Sequence, residues 1–501
     1  MTTTSTRPVR LPAPAAQRRY GWLALGAALQ LLAVGGRWDI ALAAWVFPIF
    51  LLRFVRVSRP AWGLLLVVPV FAAGGLFWAW QLAVPFTVLT VAGVISLAVV
   101  VILAYAADRF APPKLRLLTY PATLTASAFL LGSFSPFGTA YGLQAVTQHD
   151  NLALLQATSV AGPYVITFLI GLVATAANHL WEHGISWSGA KPALVTAAVL
   201  AAVLGLGQAW LAWAPAATSP TVRIGAVNPS NASLARAQQL LGTAPTDLAG
   251  MSHRDPSTVR AAADVINRQL FADTRQAAQA GAKIVVWSEN AARFRAVDEP
   301  AFLAEAGALA RETGIYLEVA ANVYLPDAPY GRDQTVLLGP DGAVRWTYQK
   351  HHPIPGLENY APGSGPVPVI DTPYGRLSSV ICYDADFLET ARVATDIMLV
   401  PGGDWPEMGR IHTQMASLRA IENGYALVRA DLNGSSQAFD RQGHVLSQQD
   451  TTPGDNAPWL ADVPTQDGAR TLYGLVGNWF AWVCTAGALV AVGLAVRARR
   501  P

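Results

Sequence analysis

Three residues in this 501-residue chain stand where strand-like apolar runs end, and their chemistries fit together. Glu289 closes Ile284-Val285-Val286-Trp287-Ser288, Lys350 follows the run 343–348, and Cys382 closes Leu377-Ser378-Ser379-Val380-Ile381. Strand ends are where α/β folds collect ligands and reacting groups. Singly, each has an ordinary reading as a rim carboxylate, a surface amine or a small core thiol. Lys350 stands out a little more, because only four of the 35 basic residues are lysine. Together the three supply a nucleophile, a base for its proton and a cation for a developing oxyanion, which is the equipment of covalent acyl chemistry. The run Asp384-Ala385-Asp386-Phe387-Leu388-Glu389-Thr390-Ala391 reads as a helix opening on acidic residues. Cys382 at its N-terminus is therefore expected to have its pKa lowered from about 8.5.

The elements that must hold these residues alternate. Strands are expected at 221–227, 283–289, 315–323, 377–382, 396–400, 426–432 and 437–446, with helices at 264–280 and 300–313. The segments 334–338 and 343–348 flank Gly339-Pro340-Asp341-Gly342, a hairpin signal. Met408, Ile411, Met415, Leu418 and Ile421 recur at helical spacing. The expectation is an α/β layered domain over 214–472, large enough for one core.

The rest of the chain is of another kind. Only 13% of the residues are charged and 52% are apolar in type, against about 25% charged in soluble domains. Residues 1–213 hold four acids (Asp39, Asp108, Asp150, Glu182), whereas 214–473 hold 28 acids against 20 Lys plus Arg. The second region carries a net charge of −8, which argues against a nucleic-acid partner. Of the two cysteines, Cys484 lies in an apolar run, so the charged region has one thiol and no internal disulfide. Apolar runs at 21–36, 40–52, 62–81, 83–106, 117–134, 158–178, 193–213 and 473–496 suggest about eight membrane spans. The first run also fits the apolar core of a signal peptide behind Arg18 and Arg19.

Basic residues give an orientation, because Lys and Arg beside spans stay on the cytoplasmic side. With the N-terminus inside, inner segments hold fourteen (Arg7, Arg10, Arg18, Arg19, Arg53, Arg56, Arg59, Arg109, Lys114, Arg116, Lys191, Arg497, Arg499, Arg500) and short outer loops hold Arg37 alone. The expected order is a cytoplasmic tail 1–20, seven spans in 21–213, an extracytoplasmic domain 214–472, a last span 473–496 and a tail 497–501. The localisation is then the cytoplasmic membrane, with the α/β domain outside and tethered at both ends.

The order Glu, Lys, Cys within Val286-Trp287-Ser288-Glu289-Asn290, Tyr348-Gln349-Lys350-His351-His352 and Ile381-Cys382-Tyr383-Asp384 resembles the nitrilase (carbon-nitrogen hydrolase) superfamily. The resemblance implies a four-layer αββα sandwich with Glu289 as base, Lys350 and the nucleophile Cys382, and a second essential Glu at Glu358. Such a domain inserted before the last of eight spans resembles the apolipoprotein N-acyltransferase family. Tyr383, Gly403-Asp404-Trp405 and the segment 412–424 add to that likeness. It implies that Cys382 takes an acyl chain from a phospholipid as a thioester and passes it to the α-amine of a diacylglyceryl-cysteine lipoprotein. Tyr383 and Trp405 would border the substrate, the protein would act as a monomer, and neither metal nor cofactor would be needed. The family's usual His-Leu-Val-Pro-Phe-Gly-Glu is replaced here by His352-Pro353-Ile354-Pro355-Gly356-Leu357-Glu358, and only 23 residues, 359–381, separate that Glu from the nucleophile.

Two other readings stay open at this level. One is a membrane-tethered amidase or N-acyltransferase acting on another amine or amide. The other is a non-catalytic scaffold, which the retained Glu, Lys and Cys disfavour. His351 and His352 read as loop contacts, His412 as structural, and Arg419 with Glu422 as a pair on one helix face.

Overall fold

In the computed structural model, residues 13–213, 220–452, 457–465 and 470–497 are described. Parts of the two expected tails (1–12 and 498–501) and the junction 214–219 lie outside them.

The apolar runs fold as helices: α1 (Ala13–Leu31), α2 (Ala41–Val57), α3 (Pro60–Gln81), α4 (Val88–Phe110), α5 (Arg116–Phe134), α6 (Tyr164–His183) and α7 (Trp187–Trp213). Local signals start them where expected. Pro60 sits in the first turn of α3, and Thr87 caps α4 by accepting the Thr90 N–H at 3.1 Å. Among the described residues, α3 to α7 and the C-terminal Trp479–Arg497 are the six helices long and apolar enough to cross a membrane. The two shortest runs, 21–36 and 40–52, fold as α1 and α2 and are not among those six.

Successive helices bring their ends to two opposite faces of the bundle. At one face the C-terminal turns of α2, α4 and α6 meet, where Arg56 binds Asp108 through both guanidinium nitrogens at 2.6 and 2.8 Å and Arg53 reaches Glu182 at 3.3 Å. At the other face the loops 32–40, 82–87 and 135–162 abut the α/β domain.

That domain contains two sheets. The first takes β1 (Thr221–Val227), β2 (Ile284–Trp287), β3 (Ala292–Arg295), β4 (Tyr316–Tyr324), β5 (Gly331–Leu338), β6 (Val344–Gln349) and β13 (Trp459–Pro464), in the order β13-β1-β2-β4-β5-β6 with β3 also paired to β4. The second takes β7 (Val369–Thr372), β8 (Gly375–Ser379), β9 (Ile397–Gly403), β10 (Ala426–Leu432), β11 (Ser435–Phe439) and β12 (Val445–Asp450), in the order β12-β11-β10-β9-β8-β7. Ile224, Val286, Leu337, Leu399 and Val428 fill the layer between the sheets. Helices α8 (Pro256–Gln279) and α9 (Glu299–Thr313) cover the first sheet through Ile266, Leu270, Phe271 and Phe302. Helix α10 (Ile411–Asn423) covers the second through Ala416 and Ala420. The layers therefore run helix, sheet, sheet, helix. The parallel strands β1, β2 and β4 in one sheet and β8, β9 and β10 in the other are buried runs with crossovers between them, the pattern that puts chemistry at strand ends.

Candidate active site

Glu289, Lys350 and Cys382 come from three strand ends and converge. Glu289 lies two residues past β2 and gives its backbone N–H to the Gly402 carbonyl of the second sheet at 3.2 Å. Lys350 directly follows β6. Its Nζ donates to Glu289 Oε1 at 2.6 Å and to Glu358 Oε1 at 2.7 Å, and lies 3.7 Å from Asp333 Oδ2 on β5. Glu358 is held by its other oxygen, which accepts the Ile354 N–H at 2.8 Å. Lys350, Glu289 and Asp333 are all buried. An ammonium has three donors; two are taken by glutamates, and Asp333 lies just beyond hydrogen-bond reach of the group.

Cys382 follows β8 in a buried turn with φ +46°, a left-handed conformation that costs a non-glycine residue of order 1–3 kcal/mol. Asp384 fastens this turn. Its carboxylate accepts from Tyr348 Oη at 2.8 Å and from the His352 N–H at 2.8 Å, and His352 Nδ1 lies 3.0 Å away. The imidazole of His352 in turn stacks on Phe387 with ring centroids 3.6 Å apart. The two loop histidines thus hold the turn that carries Cys382, His351 through its own N–H to Asp384 at 3.3 Å.

The expected helix after Cys382 does not form. The segment Cys382–Asp386 is a single 3-10 turn, followed by the four-residue helix Leu388–Ala391. Burial and the Glu289 carboxylate push the thiol up to about 11, against the pull of Arg429 and His412. One turn of dipole does not offset full desolvation, so the resting group is a thiol and its proton must be taken by a base. Around Lys350, burial disfavours the charge, yet Glu289, Glu358, Cys382 and Asp333 outweigh it and hold the ammonium well above its ordinary value. Burial, then the neighbouring Glu289, raises the Asp333 carboxyl well above the usual range. Burial also raises Glu358, against the opposing pull of Lys350.

A second set of charges lies behind the sulfur. Arg429 of β10 places Nη2 3.6 Å from Cys382 Sγ and 3.1 Å from Asp404 Oδ2. His412 of α10 sits between two carboxylates, with Nδ1 2.8 Å from Asp404 and Nε2 3.0 Å from Asp386. Burial and Arg429 act to depress this imidazole, but Asp404 and Asp386 outweigh them and raise it well above 6.5. Cys382, Asp404 and His412 each offer a ligand atom, all within 4.8 Å of one another, a spacing suited to a metal ion. The guanidinium of Arg429 contacts all three.

Two family models match this chain: the Apolipoprotein N-acyltransferase N-terminal domain over residues 26–176 and Carbon-nitrogen hydrolase over residues 236–456. The chain belongs to the apolipoprotein N-acyltransferase family of the nitrilase superfamily. It is similar to the apolipoprotein N-acyltransferase of Geobacter metallireducens, 29% identical over 45% of this chain and 48% of that one. That of Rhodopseudomonas palustris is 24% identical over 67% of this chain and 66% of its own length. The match to the Geobacter metallireducens relative thus spans about half of that protein's length. Among solved structures, an amidase from Nesterenkonia sp. is similar at 21% identity, covering 52% of this chain and 97% of that one with a TM-score of 0.39.

One wall of the site is formed by the helical bundle. An apolar cavity of about 390 Å³ opens between the bundle and the α/β domain, lined by Val94 and Leu97 of α4, Leu131 and Phe134 of α5, and Tyr383, Trp405, Met408 and His412. Tyr383 and Trp405 therefore share one cavity, and it adjoins the residue next to Cys382. His412, Asp386, Arg429 and Asp333 were not singled out for chemistry by the sequence. His412 lies on an amphipathic helix and reads as core. The signal that could have marked it is the charge of Asp386 and Asp404, each in the few residues after a strand that also ends at the site.

Proposed function

We propose that this protein transfers an acyl chain from a phospholipid, through a thioester on Cys382, to the α-amine of a diacylglyceryl-cysteine lipoprotein. The observation that carries the reading is the apolar cavity beside Tyr383: membrane helices α3, α4 and α5 contribute part of its wall, which gives an acyl chain a route from lipid toward the residue next to the thiol.

In the first step Glu289 takes the thiol proton as Sγ attacks the ester carbonyl, and the third donor of Lys350 faces the oxyanion. Glu358 holds Lys350 from the side opposite Glu289. Lysophospholipid leaves with the proton returned by Glu289. In the second step the acceptor amine, with a pKa of about 8, attacks the thioester and gives its proton to Glu289. Nucleophile, base and oxyanion donor are all side chains of this domain. Tyr383 and Trp405 border the acyl chain.

The fourteen-to-one bias of basic residues supports a cytoplasmic N-terminus, about eight crossings and a catalytic domain over 214–472 on the extracytoplasmic side. The test is chemical: purified protein incubated with phospholipid carrying a labelled acyl chain should acquire the label on Cys382 and release it to a diacylglyceryl-cysteinyl peptide. Label released only as free fatty acid, with none reaching the peptide amine, would mean a hydrolase.

A further inference from the structure

Among the charged groups around Cys382, Arg429 hydrogen-bonds the sulfur through Nη2 at 3.6 Å, and the same nitrogen lies 3.0 Å from His412 Nδ1. Its guanidinium is completely buried, and it is aimed by two carboxylates: Asp404 at 3.1 Å on Nη2 and Asp431 at 3.6 Å on Nε. The backbone is shaped for it. A Cβ on Gly402 would fall 2.7 Å from Arg429 Cζ, and one on Gly403 would fall 3.2 Å from Glu289 Oε2. The Gly402-Gly403 end of β9 thus leaves room for an arginine on one side of the thiol and the base on the other. Such a contact strengthens as the sulfur gains charge, because the permanent cation then faces an anion in a buried, low-dielectric site.

We propose that Arg429 is a catalytic residue, donating Nη2–H to the Cys382 sulfur as the thiolate forms in acylation and again as it leaves in deacylation. The chemistry of this assignment rests on the acyl-transfer reading above. In acylation the sulfur proton passes to Glu289, the Sγ–C bond forms, the ester C–O bond breaks and the departing oxygen takes the proton from Glu289. In deacylation the N–C bond forms, the C–Sγ bond breaks, and the amine proton passes by way of Glu289 to the sulfur. The sulfur carries the bond-breaking electron pair in the second step, with Arg429 as its cation, while Lys350 serves the carbonyl oxygen.

The groups facing this sulfur are Glu289 and Lys350, with Asp333 and Glu358 behind them, on one side. On the other are Arg429, Asp404 and His412, with Asp431 and Asp386 behind. The test needs no lipid. In the full chain, purified in detergent with Cys484→Ala so that a single thiol remains, the rate of alkylation of Cys382 by iodoacetamide is measured by intact mass from pH 6 to 10. Arg429→Gln should slow alkylation at pH 8 by about tenfold and move the profile up by about one pH unit; Arg429→Lys should fall between. Gly402→Ala, which keeps the charge and displaces the guanidinium, should move the profile the same way and decides the matter if Arg429→Gln does not fold. An unchanged profile in a folded variant overturns the role. A shifted profile in a protein that never transfers acyl groups leaves Arg429's role standing and removes the acyl-transfer reading instead.

Discussion

Trp405 donates its indole N–H to the backbone carbonyl of Leu82 at 2.6 Å, joining the loop after β9 to the end of α3. The residue that walls the cavity is thus also a fastening between bundle and α/β domain. Trp405→Phe should keep the wall and lose the hydrogen bond, lowering stability by about 1 kcal/mol. Trp405→Ala should enlarge the cavity and shift acyl-enzyme formation toward longer chains, read by intact mass across donors of graded length. An unchanged chain-length profile would separate Trp405 from the acyl site.

Removal of any one of the three converging residues should stop or cripple acyl-enzyme formation. Cys382→Ala should abolish it, Glu289→Gln should slow it by about 10² to 10⁴-fold, and Lys350→Met by about 10² to 10³-fold. Cys484→Ala should leave it unchanged, because that thiol lies in the C-terminal helix, far along the chain from any of the site's strands. Lys350→Met also leaves two or three buried carboxyls without their cation, so its melting temperature must be recorded beside its rate. Full activity of Cys382→Ala would end the nitrilase-type mechanism for this chain.

Glu318 gives a pH signature away from the reaction. It lies in the layer between the sheets facing Ser379 and Thr335, and burial, against the pull of those hydroxyls, raises it from 4.5 to about 7. A folded value above the unfolded one means that its contribution to stability is full below about pH 4.5 and is lost as pH rises through about 7, by about 3 kcal/mol in all. Glu318→Gln should therefore melt higher than the parent above pH 7.5, with the difference closing below pH 5. A constant difference across that range would show that the carboxyl does not titrate there.

The thioester should persist until an amine arrives. With the cavity apolar and Cys382 buried, the expected outcome is that water reaches the carbonyl slowly. Protein loaded from labelled phospholipid should keep its label in detergent, lose it to a diacylglyceryl-cysteinyl peptide with a free amine, and keep it when that peptide is N-acetylated. Because the arm between Glu358 and Cys382 is short, a weak dependence on the acceptor's own lipid is expected.

Much of this was legible in the residues because it rests on local rules. Period and punctuation gave the strands that end at Glu289, Lys350 and Cys382, and the hairpin through Gly339 to Gly342 places Lys350 beside β5. Asp333, Arg429 and His412 were not legible, since they reach the site only through sheet pairing and the packing of α10. The thiol itself was misjudged: the sequence pattern suggested a helix dipole, and burial, which no local pattern reports, raised the pKa instead. The run 437–446 was read as one strand, but Asp440 accepts the backbone N–H groups of Gln442 and His444 and turns it into the β11–β12 hairpin.

Asp386 links the bundle to the chemistry. Its backbone carbonyl accepts both the N–H and the hydroxyl of Thr139, in the loop after α5, each at 2.8 Å, while its carboxylate holds His412. A ribosome delivers residue 139 long before residue 382. The first seven helices of the bundle precede Cys382 in the chain, and the turn that carries the cysteine completes its bonds only by docking on them. A bundle that fails to form therefore leaves this turn without the two bonds it accepts from Thr139.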